Sequence, residues 1–296
     1  MTRVLVLGGS GMLGHKLVQR LRGRFDVWTT IRSGLAAYQR AGICEPSHVI
    51  AGVDAHRFDA VVSAFAAVRP AVVVNCIGIV KQLQAANDPI ETLTINALFP
   101  HRLAALCAAA DARLIHISTD CVFAGTRGGY KESDVPDAND LYGRSKLLGE
   151  VDAPALTLRT SMIGREMHGT AGLLEWFLAR AGGAADGYTR ARFSGVTTIE
   201  LASIVAEVID RHPRLAGLYH VAAAPIAKHD LLLLIRDAFG LRVEVRPTPE
   251  PAIDRSLDGS RFGRETGLEA PDWPAMIAAA AGDPTPYQEW RGQRVA

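Results

Sequence analysis

Tyr142 and Lys146 carry the first chemical signal in this 296-residue sequence. They lie four positions apart in Tyr142-Gly143-Arg144-Ser145-Lys146, a segment whose pattern continues as a helix through Leu147 to Glu150. Residues four apart on a helix share a face. A tyrosine hydroxyl has an ordinary pKa of about 10, too high for ready proton exchange at neutral pH. An ammonium about 4 Å away, at an effective dielectric near 20, favours the tyrosinate by up to about 4 kcal/mol. That is roughly three pKa units, enough to make the phenol a general acid or base. Upstream, the strand-like run Leu114-Ile115-His116-Ile117 ends on Ser118-Thr119-Asp120. A hydroxyl from Thr119 would then hold a substrate carbonyl against the phenol. An ordinary helix start with a solvated lysine gives the same spacing, so the pair needs a context.

The amino terminus supplies one. Arg3-Val4-Leu5-Val6-Leu7 reads as a buried strand, Gly8-Gly9-Ser10-Gly11-Met12-Leu13-Gly14 follows at once, and His15 to Leu21 reads as a helix. Strand, glycine turn and helix together form a pyrophosphate cradle. Gly8 permits the turn, Gly11 lets backbone approach the phosphates, and Gly14 lets the helix pack close to the strand. Ser10, Met12 and Leu13 complete that loop, and the helix N-terminus adds free N–H groups and partial positive charge.

These segments resemble the extended short-chain dehydrogenase/reductases, and within them the dTDP-4-dehydrorhamnose reductase group. The resemblance rests on Gly8/Gly11/Gly14, Ser118-Thr119-Asp120 and Tyr142/Lys146. It extends through Val74-Asn75, Ile95-Asn96-Ala97, Leu158-Arg159-Thr160-Ser161 and Gly217-Leu218-Tyr219-His220. It implies an α/β fold, a doubly wound Rossmann parallel sheet with a smaller C-terminal α/β substrate domain. Residues 1–160 would form the cofactor domain and 161–296 mainly the substrate domain, with about 196–222 returning to the Rossmann sheet.

The second strand, Asp26 to Arg32, bears on the cofactor. An NAD site needs an acidic residue at this strand's end to bond the ribose 2′-hydroxyl. Ile31 stands there and Arg32 follows. A guanidinium pairs bidentately with a 2′-phosphate, so NADPH (NADP) is the expected cofactor. A surface cation at a strand end is the plainer account of Arg32. A short helix at Leu35 to Arg40 and a third strand near His48-Val49-Ile50 lead to Asp54. The resemblance places Asp54 at the adenine side of the cofactor, and its ordinary role would be an N-cap for a helix at Arg57 to Val68. Ala71 to Asn75 is a continuous apolar strand, as at the centre of a parallel sheet. Cys76-Ile77-Gly78 after it, and Ile117, would lie along the cofactor. Pro89 to Ala110 reads as one long helix carrying Asn96, which the resemblance puts near the active site.

Ala155 to Arg159 reads as a sixth strand, and Leu173 to Arg180 as a helix. A further helix runs to about Arg211, followed by a strand at Leu218 to Val221. Lys228 to Phe239 is a helix, Val243 to Val245 a strand, and about Ala275 to Ala281 a final helix. Asp120, Cys121 and Met162 are expected at the sugar. Arg192, or one of Arg255, Arg261 and Arg264, would clamp a diphosphate, unless these arginines serve surface ion pairs. The rhamnose-type pattern carries tyrosine at Cys121 and tryptophan at Met162, so the sugar or nucleotide is expected to differ from the namesake.

The formal charge of +1 points to neither a nucleic-acid nor an anionic-membrane surface. The four cysteines have no metal-type spacing, so no metal centre is expected. With no apolar leader or long apolar span, the expectation is a soluble cytoplasmic protein. The resemblance implies a reductase of a dTDP- or UDP-linked 4-keto-6-deoxy sugar in surface polysaccharide biosynthesis, with a homodimer as the assembly to test. Tyr142 would donate the proton, while Lys146 lowers its pKa and holds the nicotinamide ribose. One alternative is a bifunctional epimerase-reductase using Cys121 and His168, as in the GDP-fucose synthase relatives. Another is a non-catalytic nucleotide-binding regulatory subunit.

Overall fold

A computed structural model describes residues 1–82 and 84–292. Its first half runs β1 (Arg3–Leu7), α1 (Gly14–Leu21), β2 (Asp26–Ile31), α2 (Leu35–Arg40), β3 (Val49–Ala51), α3 (Phe58–Val68) and β4 (Val72–Asn75). Two helical pieces follow, α4 (Pro89–Thr92) and α5 (Phe99–Ala109), joined by a π-helical turn at Leu93–Leu98. Then come β5 (Arg113–Thr119), α6 (Leu141–Leu148) and β6 (Leu156–Thr160). The next segment holds β7 (Met162–Ile163), α7 (Leu173–Leu178), β8 (Ala184–Tyr188), β9 (Ala191–Phe193) and β10 (Val196–Thr197). It is followed by α8 (Thr198–Arg211), β11 (Gly217–His220), β12 (Ile226–Ala227) and α9 (Lys228–Ala238). The last elements are β13 (Glu244–Thr248), β14 (Ile253–Asp254), α10 (Ser260–Thr266), α11 (Trp273–Ala281) and α12 (Tyr287–Gly292).

The main sheet is parallel throughout, in the order β11-β6-β5-β4-β1-β2-β3. Its strands are apolar on both faces because helices cover both. Alternation along β1 shows the division. Val4 and Val6 enter one core with Leu17 of α1 and Leu201 of α8, while Leu5 and Leu7 enter the other with Val61 of α3 and Leu103 of α5. Strand order reverses between β1 and β4, and the crevice outside their carboxyl ends is where open α/β sheets bind ligands.

The helix expected from Pro89 to Ala110 is broken. Pro100 lacks the N–H that would bond the Asn96 carbonyl and its ring crowds that carbonyl, so the chain widens into the π turn just before it. Beyond β6 the smaller elements form a parallel pair, β8 with β13, and a three-stranded set, β12-β9-β14. This portion meets the carboxyl ends of the main strands, where Met12 lies against Gly172 and Asp120 faces Lys228. Among the described residues, no helix is long and apolar enough to cross a membrane.

Candidate active site

The glycine loop closes tightly at the end of β1. Gly8 has φ +86°, in the left-handed region that favours glycine, and its carbonyl accepts from the Gly11 N–H at 3.0 Å. A Cβ on Gly14 would stand 2.1 Å from the Gly8 carbonyl oxygen, so any side chain there would push α1 off the strand. Leu13 is buried, whereas Ser10 and Gly11 lie on the outer side of the turn. Across the crevice, the Cys76 N–H donates to the Leu7 carbonyl at 3.1 Å, and a Cβ on Gly8 would come within 3.1 Å of Ile77. The Asn75 side chain holds this segment by accepting from the Ile77 N–H at 3.1 Å. Burial pushes the Cys76 thiol up to about 12, so Cys76 stays neutral there.

The end of β2 supports the same loop, because Thr30 accepts from the N–H groups of Gly8 and Gly9 at 3.3 and 2.9 Å. Arg32 follows at the sheet edge with its side chain exposed. The Val53 N–H donates to the Ile31 carbonyl at 3.2 Å, which brings Asp54 to the same edge. The N-cap role expected for Asp54 does not hold. Its carboxylate accepts from the His56 N–H at 3.0 Å, and Arg57 occupies the cap of α3 without a side-chain bond. A narrow glycine turn, a helix start, a facing small residue at Gly78 and an exposed arginine past β2 together fit a dinucleotide phosphate.

Tyr142 and Lys146 stand on α6, which starts where Asp140 accepts from the Gly143 N–H at 2.7 Å. Lys146 is buried, and its Nζ donates to the Ile117 carbonyl of β5 at 2.8 Å. It also lies 3.9 Å from the place of a Cβ on Gly78, which sets it beside the cofactor segment. Burial lowers its pKa to about 8. Tyr142 departs from expectation. Burial raises the phenol above its ordinary value, the neighbouring Cys121 thiol adds to this, and the Thr119 hydroxyl opposes it. The Lys146 ammonium is engaged by the Ile117 carbonyl of the sheet.

Thr119 ends β5. Its Oγ1 accepts from the Cys121 N–H at 3.1 Å and donates to Asp120 at 3.2 Å. Asp120 is buried and its pKa raised by that burial, with Lys228 and Arg255 acting against the rise. Burial pushes Cys121 up to about 12. Asn96, turned inward by the π turn, donates to the Ile79 carbonyl at 3.0 Å and to Ser145 of α6 at 3.2 Å. It also accepts from the Ile79 N–H at 2.8 Å. One side chain therefore ties the cofactor segment to the helix of Tyr142. Behind α6, Glu150 accepts from Ser118 at 2.6 Å and forms a buried double contact with Arg159, both at 2.6 Å.

Met162 is half-buried on β7. His168 is exposed in the loop before α7, and Cys121 is half-buried. Arg192 stands on β9. Its neighbours on β9, Ala191 and Phe193, are buried while Arg192 is exposed, and Phe193 is the residue that meets Lys228. Alternation puts Arg192 on the face opposite Ala191 and Phe193. Arg261 pairs with Glu265 at 3.0 Å and Arg264 donates to Ser260 at 3.0 Å, whereas Arg255 reaches inward to the Phe123 carbonyl at 2.9 Å. Sequence reasoning missed Lys228. It opens a helix like any surface lysine, and only the pairing of β12 with β9 brings it over Phe193.

The family model described as RmlD substrate binding domain matches residues 1–280. The chain belongs to that family. The resemblance to sugar-nucleotide reductases drawn from the glycine loop and the Tyr142/Lys146 pair is borne out. This RmlD-family chain is 31% identical to a Streptomyces antibioticus protein named as a probable dTDP-4,6-dihydroxy-2-methyloxan-3-one 4-ketoreductase, over 95% of each chain. It is 27% identical to the spore coat polysaccharide biosynthesis protein SpsK of Bacillus subtilis, over 92% of this chain and 94% of that one. Its fold is similar to that of the Bacillus anthracis dTDP-4-dehydrorhamnose reductase solved in complex with NADP. The TM-score is 0.79 at 21% identity, covering 95% of this chain and 99% of the other.

Proposed function

We propose that this chain is an NADPH-dependent reductase of a nucleotide-linked 4-keto-6-deoxy sugar, supplying a deoxyhexose for a surface polysaccharide. The observation that carries this reading is the contact of Thr119 with Tyr142 on the helix whose Lys146 reaches Gly78, across the crevice from the glycine loop. The names of the relatives support the substrate class, and the NADP bound by the Bacillus anthracis protein supports the cofactor. In this reading residues 1–160 hold the dinucleotide, 196–222 return to its sheet, and the rest of 161–296 holds the sugar nucleotide.

The dinucleotide, when bound along Gly8–Gly14 and Cys76–Gly78, supplies the hydride. Tyr142 retains its proton at neutral pH because of its raised pKa, and gives it to the carbonyl oxygen as that oxygen gains negative charge. Thr119 turns its hydroxyl proton from Asp120 to the same oxygen, a donor placed where charge develops. Lys146, already desolvated beside Gly78, would hold the ribose hydroxyls of the dinucleotide. Arg32 would pair with the 2′-phosphate. Cys121 stays a thiol, because burial opposes the thiolate an epimerase would need, and reduction alone is the activity proposed.

NADPH oxidation against dTDP-, UDP- and GDP-linked 4-keto-6-deoxyhexoses tests the reading. At least one should be reduced, and Tyr142→Phe should lower turnover by about a hundred- to ten-thousandfold while NADPH still binds. Reduction of none of them, or near-normal turnover in Tyr142→Phe, would contradict it.

A further inference from the structure

Lys228 is the first residue of α9, and its ammonium stands 3.7 Å over the Phe193 ring. Among the described residues it has no hydrogen bond and no ion pair. This position runs against the fold's own electrostatics. A cation in the first turn of a helix opposes the helix dipole, and burial further disfavours the charge. Among the described residues only the Phe193 ring and the charge of Asp120 offset those costs, which leaves the three ammonium donors open to a ligand.

Its surroundings say which ligand. On one side Lys228 faces Asp120 and Cys121, the two residues after Thr119. On the other it lines a pocket of about 400 Å³ with Trp176, Arg180, Asp186, Tyr188 and Arg246. Arg180 stacks on Trp176 at 3.8 Å, and Arg246 approaches Asp186 at 3.8 Å. Three cations thus share the pocket with a single carboxylate, and Lys228 alone belongs to both the pocket and the ketone site. In a nucleotide sugar, the group between base and sugar is a diphosphate. A compact ammonium with three donors suits its oxygens.

We propose that Lys228 receives the diphosphate of the nucleotide sugar, joining a nucleoside pocket walled by Trp176 and Tyr188 to the ketone site at Thr119 and Tyr142. The proposal rests on the reading of the chain as a nucleotide-sugar reductase. It is tested by calorimetry with NADPH present, using dTDP, dTMP and thymidine, UDP, UMP and uridine, and GDP, GMP and guanosine. One diphosphate should bind the unaltered protein more tightly than its monophosphate. Lys228→Met should weaken that diphosphate by about ten- to hundredfold and leave the nucleoside unchanged, and Lys228→Arg should restore part of the loss. With the keto sugar, KM should rise far more than kcat falls. Undiminished NADPH affinity reports that the variant is folded, and Lys228→Gln takes its place where it is not. A folded variant with undiminished diphosphate affinity would overturn this proposal and leave the reductase reading standing. If no nucleoside diphosphate binds the unaltered protein, both fall together.

Discussion

A half-buried phenol beside Cys121, Asp120 and Asp140 is disfavoured from ionising, so Tyr142 holds its proton at neutral pH. That state suits a proton donor in reduction, since the carbonyl oxygen becomes far more basic than the phenol as hydride reaches its carbon. Lys146 acts elsewhere: its Nζ bonds Ile117 and lies beside Gly78, so its charge serves the cofactor side. The spacing of Tyr142 and Lys146 was legible in the sequence, but the direction of each side chain was not. Sharing a helix face does not settle whether two long side chains meet. Arg32 carries the cofactor preference in this account. Arg32→Ala should remove most of the advantage of NADPH over NADH, about ten- to hundredfold in dissociation constant. Tighter NADH binding by the unaltered protein would rule that role out.

Asn96 shows how an element sets a site. The π turn rotates it inward, where it satisfies both backbone groups of Ile79 and reaches Ser145 on α6. Asn96→Ala would leave the Ile79 N–H and C=O without partners, at a cost of about 1–3 kcal/mol. NADPH affinity should fall with it, because the segment after β4 loses its anchor. Denaturant melts and NADPH titrations of the variant check both effects, and unchanged NADPH affinity would show that Asn96 does not position the segment. Pro100 stood in the sequence as the cause of the turn, yet the apolar periodicity on either side reads straight through it. The short strands β8 and β9 were illegible for another reason. Ala184-Ala185-Asp186-Gly187-Tyr188 has little strand preference of its own, and becomes a strand only by pairing with β13. By contrast, β1, β4 and β6 announce themselves as apolar runs because both their faces are covered.

At the scale of the molecule, the carboxyl-terminal segment returns to the glycine loop. His15 is buried, and burial lowers its pKa to about 4, so it is neutral. Its Nδ1–H donates to the Gly11 carbonyl at 2.8 Å, which leaves Nε2 to accept from the Tyr287 hydroxyl at 2.8 Å. Next to it, Lys16 and Asp283 form a buried ion pair at 2.5 Å. Asp283→Asn should destabilise the protein by about 3–5 kcal/mol, because it leaves a buried ammonium without its charged partner. Replacing both residues with apolar ones should recover most of that loss, as chemical denaturation would report. The pair also has a pH signature. Burial raises the Asp283 pKa, but the contacts from Lys16 outweigh it and hold it below the ordinary 3.8. Its contribution is therefore complete above about pH 4 and is lost as pH falls through the folded value. A single-site loss below 1 kcal/mol would mean that the tie does not hold the loop.

The most direct measurement follows one hydride across the site. NADPH deuterated at its transferable position is incubated with the 4-keto-6-deoxy sugar nucleotide that supports turnover, and the sugar is analysed by mass spectrometry and NMR. The account predicts one deuterium at C4, none at the neighbouring carbons when the reaction is run in heavy water, and loss of the label with Tyr142→Phe. NADPH consumption with no label at C4, or solvent deuterium entering beside the ketone, would contradict it.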